Sequence, residues 1–329
     1  MPTTTILITG ISGFVGGHYC SFLCNNRKDW TIHGISRSKP SWDFIHDKDS
    51  ILNSVHFHQA DLLDEEKIHE LIKEIRPDYI LHLAAFSSVA ESWQKPRAAF
   101  QNNTNAFLNV IESIRALNYQ CRILSVGSSE EYGIVDQETL PLKEESYSRP
   151  ANPYAVARLS QEYLANIYMR GFNMDICCTR SFNHIGPGQQ PKFVISSIAR
   201  QFAEIIVKEM PPIIEIGDDT IVRDFIDIDD VVRAYDAIFK RGMRGEIYNV
   251  CNGCGYSIAQ IIAIYSKILD QPIRIEQQEN LIRPIDNPVI IGNNEKITDH
   301  TGWKPRIKIK ESLEKIYEYW QIKISRNNV

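Results

Sequence analysis

The first half of the chain alternates short apolar runs with segments of helical spacing, and few folds accept that alternation. "TTTILITG", "WTIHGIS", "SVHFHQA", "DYILHLAA", "CRILSVGSS" and "MDICCTRSF" each read as a strand, rich in Ile, Val and Leu and closed by small or polar residues. Helical patterns run between them over 14–26, 65–75, 96–117 and 153–169. Strand, helix, strand repeated in this way demands parallel pairing with right-handed crossovers. The fold class is therefore α/β, a doubly wound parallel sheet. Ligands of such sheets bind beyond the carboxyl ends of the strands, so the chemistry is expected there.

After residue 182 the pattern changes. "FNHIGPGQQP" is a loop punctuated by Gly and Pro, a helix follows over about 194–208, and shorter strands and helices run to the C-terminus. "VRDFIDIDDVVRAYDAIFKR" reads as a strand leading into an amphipathic helix whose acidic first turn suits the helix dipole. The expected organisation is a dinucleotide-binding domain over 1–181, rejoined by segments around 222–250, and a smaller mixed α/β substrate domain over 182–329. The last residues, "SRNNV", are expected to fray.

Composition narrows the partners. A net charge of −5 over 329 residues gives no electrostatic reason to expect nucleic acid. No apolar run approaches the roughly 20 residues that span a bilayer, and "MPTTTILITG" does not read as a signal peptide, so no membrane partner is expected. Seven scattered cysteines, an odd count, point to a reducing cytoplasm. Cys251 and Cys254 in "CNGC" have metal spacing, but no second pair accompanies them and a tetrahedral site needs four ligands. No metal is expected, and the two thiols read as buried residues flanking a turn.

"TGISGFVGG" follows the first strand directly and opens a helix. Gly10, Gly13 and Gly16 allow a tight turn and a close approach of backbone to a pyrophosphate, with Ser12, Phe14 and Val15 between them. The spacing G-x-x-G-x-x-G is a variant of the dinucleotide fingerprint. An acid about 20 residues on would bind the ribose 2′-hydroxyl of NAD. Here "HGISRS" puts Ser36 and Arg37 in that place, and a guanidinium suits a 2′-phosphate, so NADP(H) is favoured over NAD(H). Asp61 and Leu62, after the third strand, are placed to meet the adenine, although "DLLDEE" also reads as a helix N-cap.

Two further stretches carry acid–base chemistry. In "ANPYAVARLS", Tyr154 and Arg158 are four apart and share one helical face. A permanent cation beside a phenol favours phenolate, which suits a tyrosine to act as acid or base. "VGSSEEYG" puts Ser128, Ser129 and Glu130 at a strand end, where a hydroxyl and the phenol could both reach one carbonyl oxygen.

With "TGISGFVG", "HLAA" at 82–85, "SSEEYG", "PYAVAR" and "RDF" at 223–225 in order, the chain resembles the extended short-chain dehydrogenase/reductase family, whose cofactor domain is Rossmann-like. "RSFNHIGPGQ", "FVISSIARQ", "YNVCNG" and "TGWKP" resemble its nucleotide-sugar branch, which handles GDP-linked 6-deoxyhexoses. The resemblance implies that Ser128 hydrogen-bonds the substrate oxygen, that Tyr154 gives the proton and that Asn103 helps position the tyrosine helix. It places Leu83, Ala84 and Ala85 with Asn103 at the cofactor. Ser87, Ser129, Glu130 and Asn183 would then meet substrate, the backbone at Phe193 and Val194 would meet guanine, and Arg223 and Arg283, with Asp286 close by, would meet the diphosphate. The family's usual lysine is replaced by Arg158, which keeps the charge but cannot lose its proton.

The implied activity is NADPH-dependent reduction of the C4 keto group of a GDP-4-keto-6-deoxy sugar, by a homodimer. Glu130, two residues before Tyr132, keeps a GDP-mannose or GDP-heptose 4,6-dehydratase open as the alternative. A C4 epimerase and a catalytically silent cofactor-binding module are lesser ones.

Overall fold

A computed structural model describes residues 4–281 and 287–327. The strands are β1 Thr4–Thr9, β2 Trp30–Ser36, β3 Val55–Gln59, β4 Tyr79–His82, β5 Arg122–Val126, β6 Asp175–Ser181 and β7 Asn183–Ile185. They continue with β8 Ile213–Ile216, β9 Val222–Asp227, β10 Ile247–Val250, β11 Gly255–Ser257, β12 Arg274–Gln277 and β13 Val289–Ile290. The helices are α1 Phe14–Asn26, α2 Lys48–Asn53, α3 Glu65–Ile75, α4 Val89–Gln94, α5 Pro96–Phe100 and α6 Ala106–Leu117. After them come α7 Pro153–Phe172, α8 Val194–Val207, α9 Ile228–Arg241, α10 Ile258–Ile268, α11 Glu295–Thr301 and α12 Ile309–Asn327.

Seven strands form one sheet in the order β10-β6-β5-β4-β1-β2-β3, each pair parallel. The order reverses between β1 and β4, and at such a switch point the crossovers leave a crevice open at the strand ends. Alternation along each strand feeds two cores. From β1, Ile6 and Ile8 pack with Tyr19 and Leu23 of α1 and Val231 and Ile238 of α9. Leu7 faces the other way, into Ile68 and Ile72 of α3 and Phe107, Val110 and Ile111 of α6. Burial on both faces is why these strands read as nearly continuous apolar runs.

A third core lies outside that sheet. Ile198 and Phe202 of α8 meet Ile261 and Tyr265 of α10 and Leu313, Ile316 and Trp320 of α12. Beside it stand a four-stranded sheet, β11-β9-β13 with β7 on β9, and the pair β12-β8. The chain passes between the layers more than once: β9 leads into α9, and β10 then pairs with β6 at the edge of the large sheet.

Local signals account for the limits of several elements. Asn152 caps α7 by accepting the Ala155 N–H at 2.8 Å, and Pro153 takes the first helical position, where a missing N–H costs nothing. Asp64 caps α3, with Glu65 and Glu66 in its first turn. The helical pattern over 96–117 is not one regular helix: Gln101–Asn105 form a π turn between α5 and α6. There the extra residue turns Asn103 inward.

Candidate active site

The strand ends border a cleft of about 720 Å³. Gly10 opens it with φ +69°, and a Cβ there would stand 2.8 Å from the Ala84 backbone. Gly16 is needed for packing: its Cβ would meet the Ile11 carbonyl oxygen at 2.3 Å. Gly13 is the N-cap of α1, no side chain caps this helix, and its first turn holds no acid. Its leading N–H groups therefore face the cleft as an anion site.

Ser36, Arg37 and Ser38 line the far end. Ser36 Oγ donates to the Ser38 carbonyl at 2.8 Å, and the exposed Arg37 guanidinium has no acidic partner among the described residues. Asp61 and Leu62 also line the cleft, but the N-cap of α3 is Asp64. Asp61 instead folds its own turn, accepting the Leu63 N–H at 3.0 Å. The donors and the anion-ready helix end fit a dinucleotide with an extra phosphate.

At the other end, Tyr154 and Arg158 come down from α7 beside Ser128, Ser129 and Glu130. Arg158 Nε donates to the Tyr154 oxygen at 3.3 Å, and its Nη1 reaches the Val126 carbonyl at 2.7 Å and Gln161 Oε1 at 3.0 Å. Ser128 caps the short helical turn Ser129–Tyr132, its Oγ accepting the Glu130 N–H at 3.2 Å. Glu130 accepts from Asn152 Nδ2 at 3.1 Å, which ties the turn to the start of α7.

The loop after β7 closes the opposite wall, and it rests on the cofactor side of the molecule. His18 Nε2 lies 2.9 Å from the Pro187 carbonyl oxygen, and burial lowers the pKa of this histidine. His18 also stacks on Phe44, with ring centroids 5.1 Å apart. Gly188, at φ +90°, leaves room for that ring: a Cβ would come within 2.1 Å of Phe44 Cγ. Trp42 anchors the same segment, its Nε1 donating to the Ile11 carbonyl at 3.1 Å.

Several expected site residues stand elsewhere. Asn103 is fully buried and lines no part of the cleft; its Oδ1 accepts the Phe86 N–H at 2.8 Å and its Nδ2 donates to the Phe86 carbonyl at 3.3 Å. It fastens the loop after β4, and the contact to the tyrosine helix is made by Thr104, whose Oγ1 donates to the Ala157 carbonyl at 3.0 Å. Arg223 is also buried outside the cleft lining, its Nη1 donating to the Val222 and Asn287 carbonyls at 2.8 and 2.9 Å. Val194 begins α8 just beyond the lining, whereas Phe193 is part of it. Arg283 and Asp286 lie outside the described residues. Cys251 is buried, but Cys254 is exposed, because the turn carries it outward.

Other lining residues were missed: Phe44, Ser88, Asn102, His184, Gln189, Gln190 and Lys192. The polar run "GQQPK" shortly after a strand end was the available signal for the last three. Burial lowers the pKa of His184 to about 4, so it stands neutral beside Tyr235, whose hydroxyl is 3.2 Å from its Nε2.

Such a cleft can hold a dinucleotide across β1 and present a carbonyl compound to a serine and a tyrosine, the layout of an NAD(P)-dependent nucleotide-sugar enzyme. The family model for GDP-mannose 4,6 dehydratase matches residues 7–316, and the chain belongs to that family. It is 32% identical to the GDP-6-deoxy-D-mannose reductase of Pseudomonas aeruginosa, over 98% of this chain and 99% of that one. The GDP-mannose 4,6-dehydratase of Vibrio cholerae is 27% identical, over 93% of this chain and 90% of that one. Among solved structures, RMD from Pseudomonas aeruginosa complexed with NADPH superposes with a TM-score of 0.84 at 32% identity, covering 98% of each chain. No helix among the described residues is long and apolar enough to cross a membrane.

Proposed function

We propose that the chain reduces the C4 keto group of a GDP-4-keto-6-deoxy sugar with NADPH, giving a GDP-6-deoxyhexose of the GDP-D-rhamnose type. The observation that carries this is end-to-end similarity to a GDP-6-deoxy-D-mannose reductase, joined to a serine and a tyrosine at one cleft end and, at the other, an Arg37 with no acidic partner among the described residues. NADPH, when bound, supplies the hydride. The helix end at Gly13 and the Arg37 guanidinium hold its phosphates. Ser128 donates its hydroxyl hydrogen to the keto oxygen, and Tyr154 gives the proton while Arg158 keeps a positive charge beside the phenolic oxygen. Ser87, Ser129, Asn183 and the backbone at Phe193 hold the nucleotide sugar. Purified protein with NADPH and GDP-4-keto-6-deoxymannose should consume cofactor and yield a product two mass units heavier. Unchanged NADPH with that substrate would defeat the reading.

A dehydratase is the second reading, and Glu130 favours it, since this acidic residue lines the cleft beside Ser128. Loss of water from GDP-mannose without net cofactor consumption would establish it. The division of the chain at 181–182, with 222–250 rejoining the first domain, is proposed on the placement of the separate core around α8 and α12. A homodimer is proposed from Val156, Tyr163 and Ile167, exposed along one face of α7. Light scattering showing a monomer at micromolar concentration would contradict it.

A further inference from the structure

Behind Ser128, the side chain of Glu131 points away from the cleft. It is fully buried, and its Oε1 accepts the Ser128 backbone N–H at 2.6 Å. The Ser128 side chain caps the same turn, so the two residues hold each other reciprocally. Gly127 makes the room for this: a Cβ there would stand 2.4 Å from Glu131 Oε1 and 2.5 Å from the Thr179 carbonyl oxygen.

The other oxygen, Oε2, has no hydrogen-bond partner among the described residues and lies 3.8 Å from Arg180 Nε. Arg180, on β6, is committed elsewhere. Its Nε and Nη2 hold Glu162 of α7 at 2.9 and 2.8 Å, and its Nη1 donates to the Glu144 carbonyl at 3.1 Å. Two carboxyls thus share one cation in a buried site. With both ionised the group would carry an uncompensated negative charge, which burial strongly disfavours. Burial and the Glu162 charge push the Glu131 carboxyl well above the usual carboxylate range. Through Arg180 the cluster joins the serine turn to the helix that bears Tyr154, beneath the floor of the cleft.

We infer that Glu131 is a positioning residue, holding the Ser128 backbone by acceptor geometry so that the serine hydroxyl meets the substrate carbonyl beside Tyr154. The inference rests on the reductase reading only for its substrate. If the wild type turns over GDP-mannose instead, that reading falls and the same comparison is made on that reaction.

The test is turnover and KM for Glu131→Leu and Glu131→Gln, each alone and combined with Ser128→Ala. Glu131→Leu keeps bulk but offers no acceptor, and it should lower kcat about 10- to 100-fold with KM little changed, as expected when a reacting group is misplaced without loss of binding. Glu131→Gln keeps the acceptor without a charge and should restore most of that loss. In the Ser128→Ala background the leucine change should cost nothing further, because Glu131 acts through the serine. An equal loss with and without Ser128, a glutamine variant as impaired as the leucine one, or a leucine variant as fast as the wild type would each overturn the proposal. Circular dichroism and NADPH binding report folding, and Glu131→Met replaces the leucine variant if that one does not fold.

Discussion

Arg158 places its Nε 3.3 Å from the Tyr154 oxygen while its Nη1 is committed to the Val126 carbonyl at 2.7 Å. The guanidinium therefore has two tasks, keeping charge beside a phenol and stitching α7 to the end of β5. Gln161 extends the stitch, accepting from Arg158 and donating to Ser125 Oγ at 2.7 Å. Tyr154→Phe should cost on the order of a hundredfold or more in the chemical step, since the proton donor is gone. Arg158→Lys keeps the charge and should stay within about tenfold of wild-type turnover, while Arg158→Met should fall further. The methionine variant also leaves the buried Val126 carbonyl without its donor, which costs about 1–3 kcal/mol of stability. Steady-state kinetics beside thermal unfolding separates the two tasks, and an Arg158→Met enzyme with unchanged rate would make the arginine a bystander.

Arg37 is predicted to choose the cofactor. A charge-assisted bond to the 2′-phosphate contributes roughly 1.5–3 kcal/mol, so Arg37→Ala should weaken NADPH by about one to two orders of magnitude. NADH affinity should hardly move. Titration by fluorescence gives both constants, and equal affinities in the unmutated protein would contradict the assignment.

Gly16→Ala should damage the fold before it damages binding. Its new methyl would sit 2.3 Å from the Ile11 carbonyl oxygen, so α1 must shift from the turn that precedes it. Overpacking of this kind costs about 1–3 kcal/mol, to be read as a lower urea midpoint. An unchanged midpoint would show that the turn is looser than its geometry.

The histidine at the cleft gives a pH dependence. His184 has its pKa lowered to about 4 by burial, against 6.5 in an unfolded chain. As pH falls below about 6.5 the unfolded chain takes up a proton that the folded one refuses, so stability is lost on the way down to about 4. Asp224, raised to about 7 by burial, works in the opposite direction, so the total slope mixes both. The comparison is therefore wild type against His184→Gln. The stability of the wild type relative to the variant should fall across that window, and parallel urea midpoints at both ends would refute it.

Element limits with local causes were legible in the sequence. Phe14–Asn26 and Glu65–Ile75 stand as read because the turn glycines and an aspartate cap mark them. The π turn at Gln101–Asn105 was not legible, because "QNNTN" has ordinary helical neighbours and its extra residue answers to Phe86 far along the chain. The cleft residues of the glycine turn and of α7 were readable from spacing. Arg223 was not, since nothing in "RDF" says whether a cation on the central strand β9 turns toward a ligand or toward backbone carbonyls. Phe44 and Trp42 escaped for a related reason: their partners, Gly188 and Ile11, are tertiary.

The stack of His18 on Phe44, with Pro187 and Gly188 seated against it, has a practical meaning for recombination. Parents that differ in sugar specificity invite a splice near residue 182, just ahead of β7 and the loop that follows it. That loop is moulded on side chains from the first 44 residues. A hybrid carrying a foreign second half would meet an unmatched bearing surface unless positions 18, 42 and 44 travelled with it. The unit of exchange in this fold is therefore not a contiguous stretch of gene.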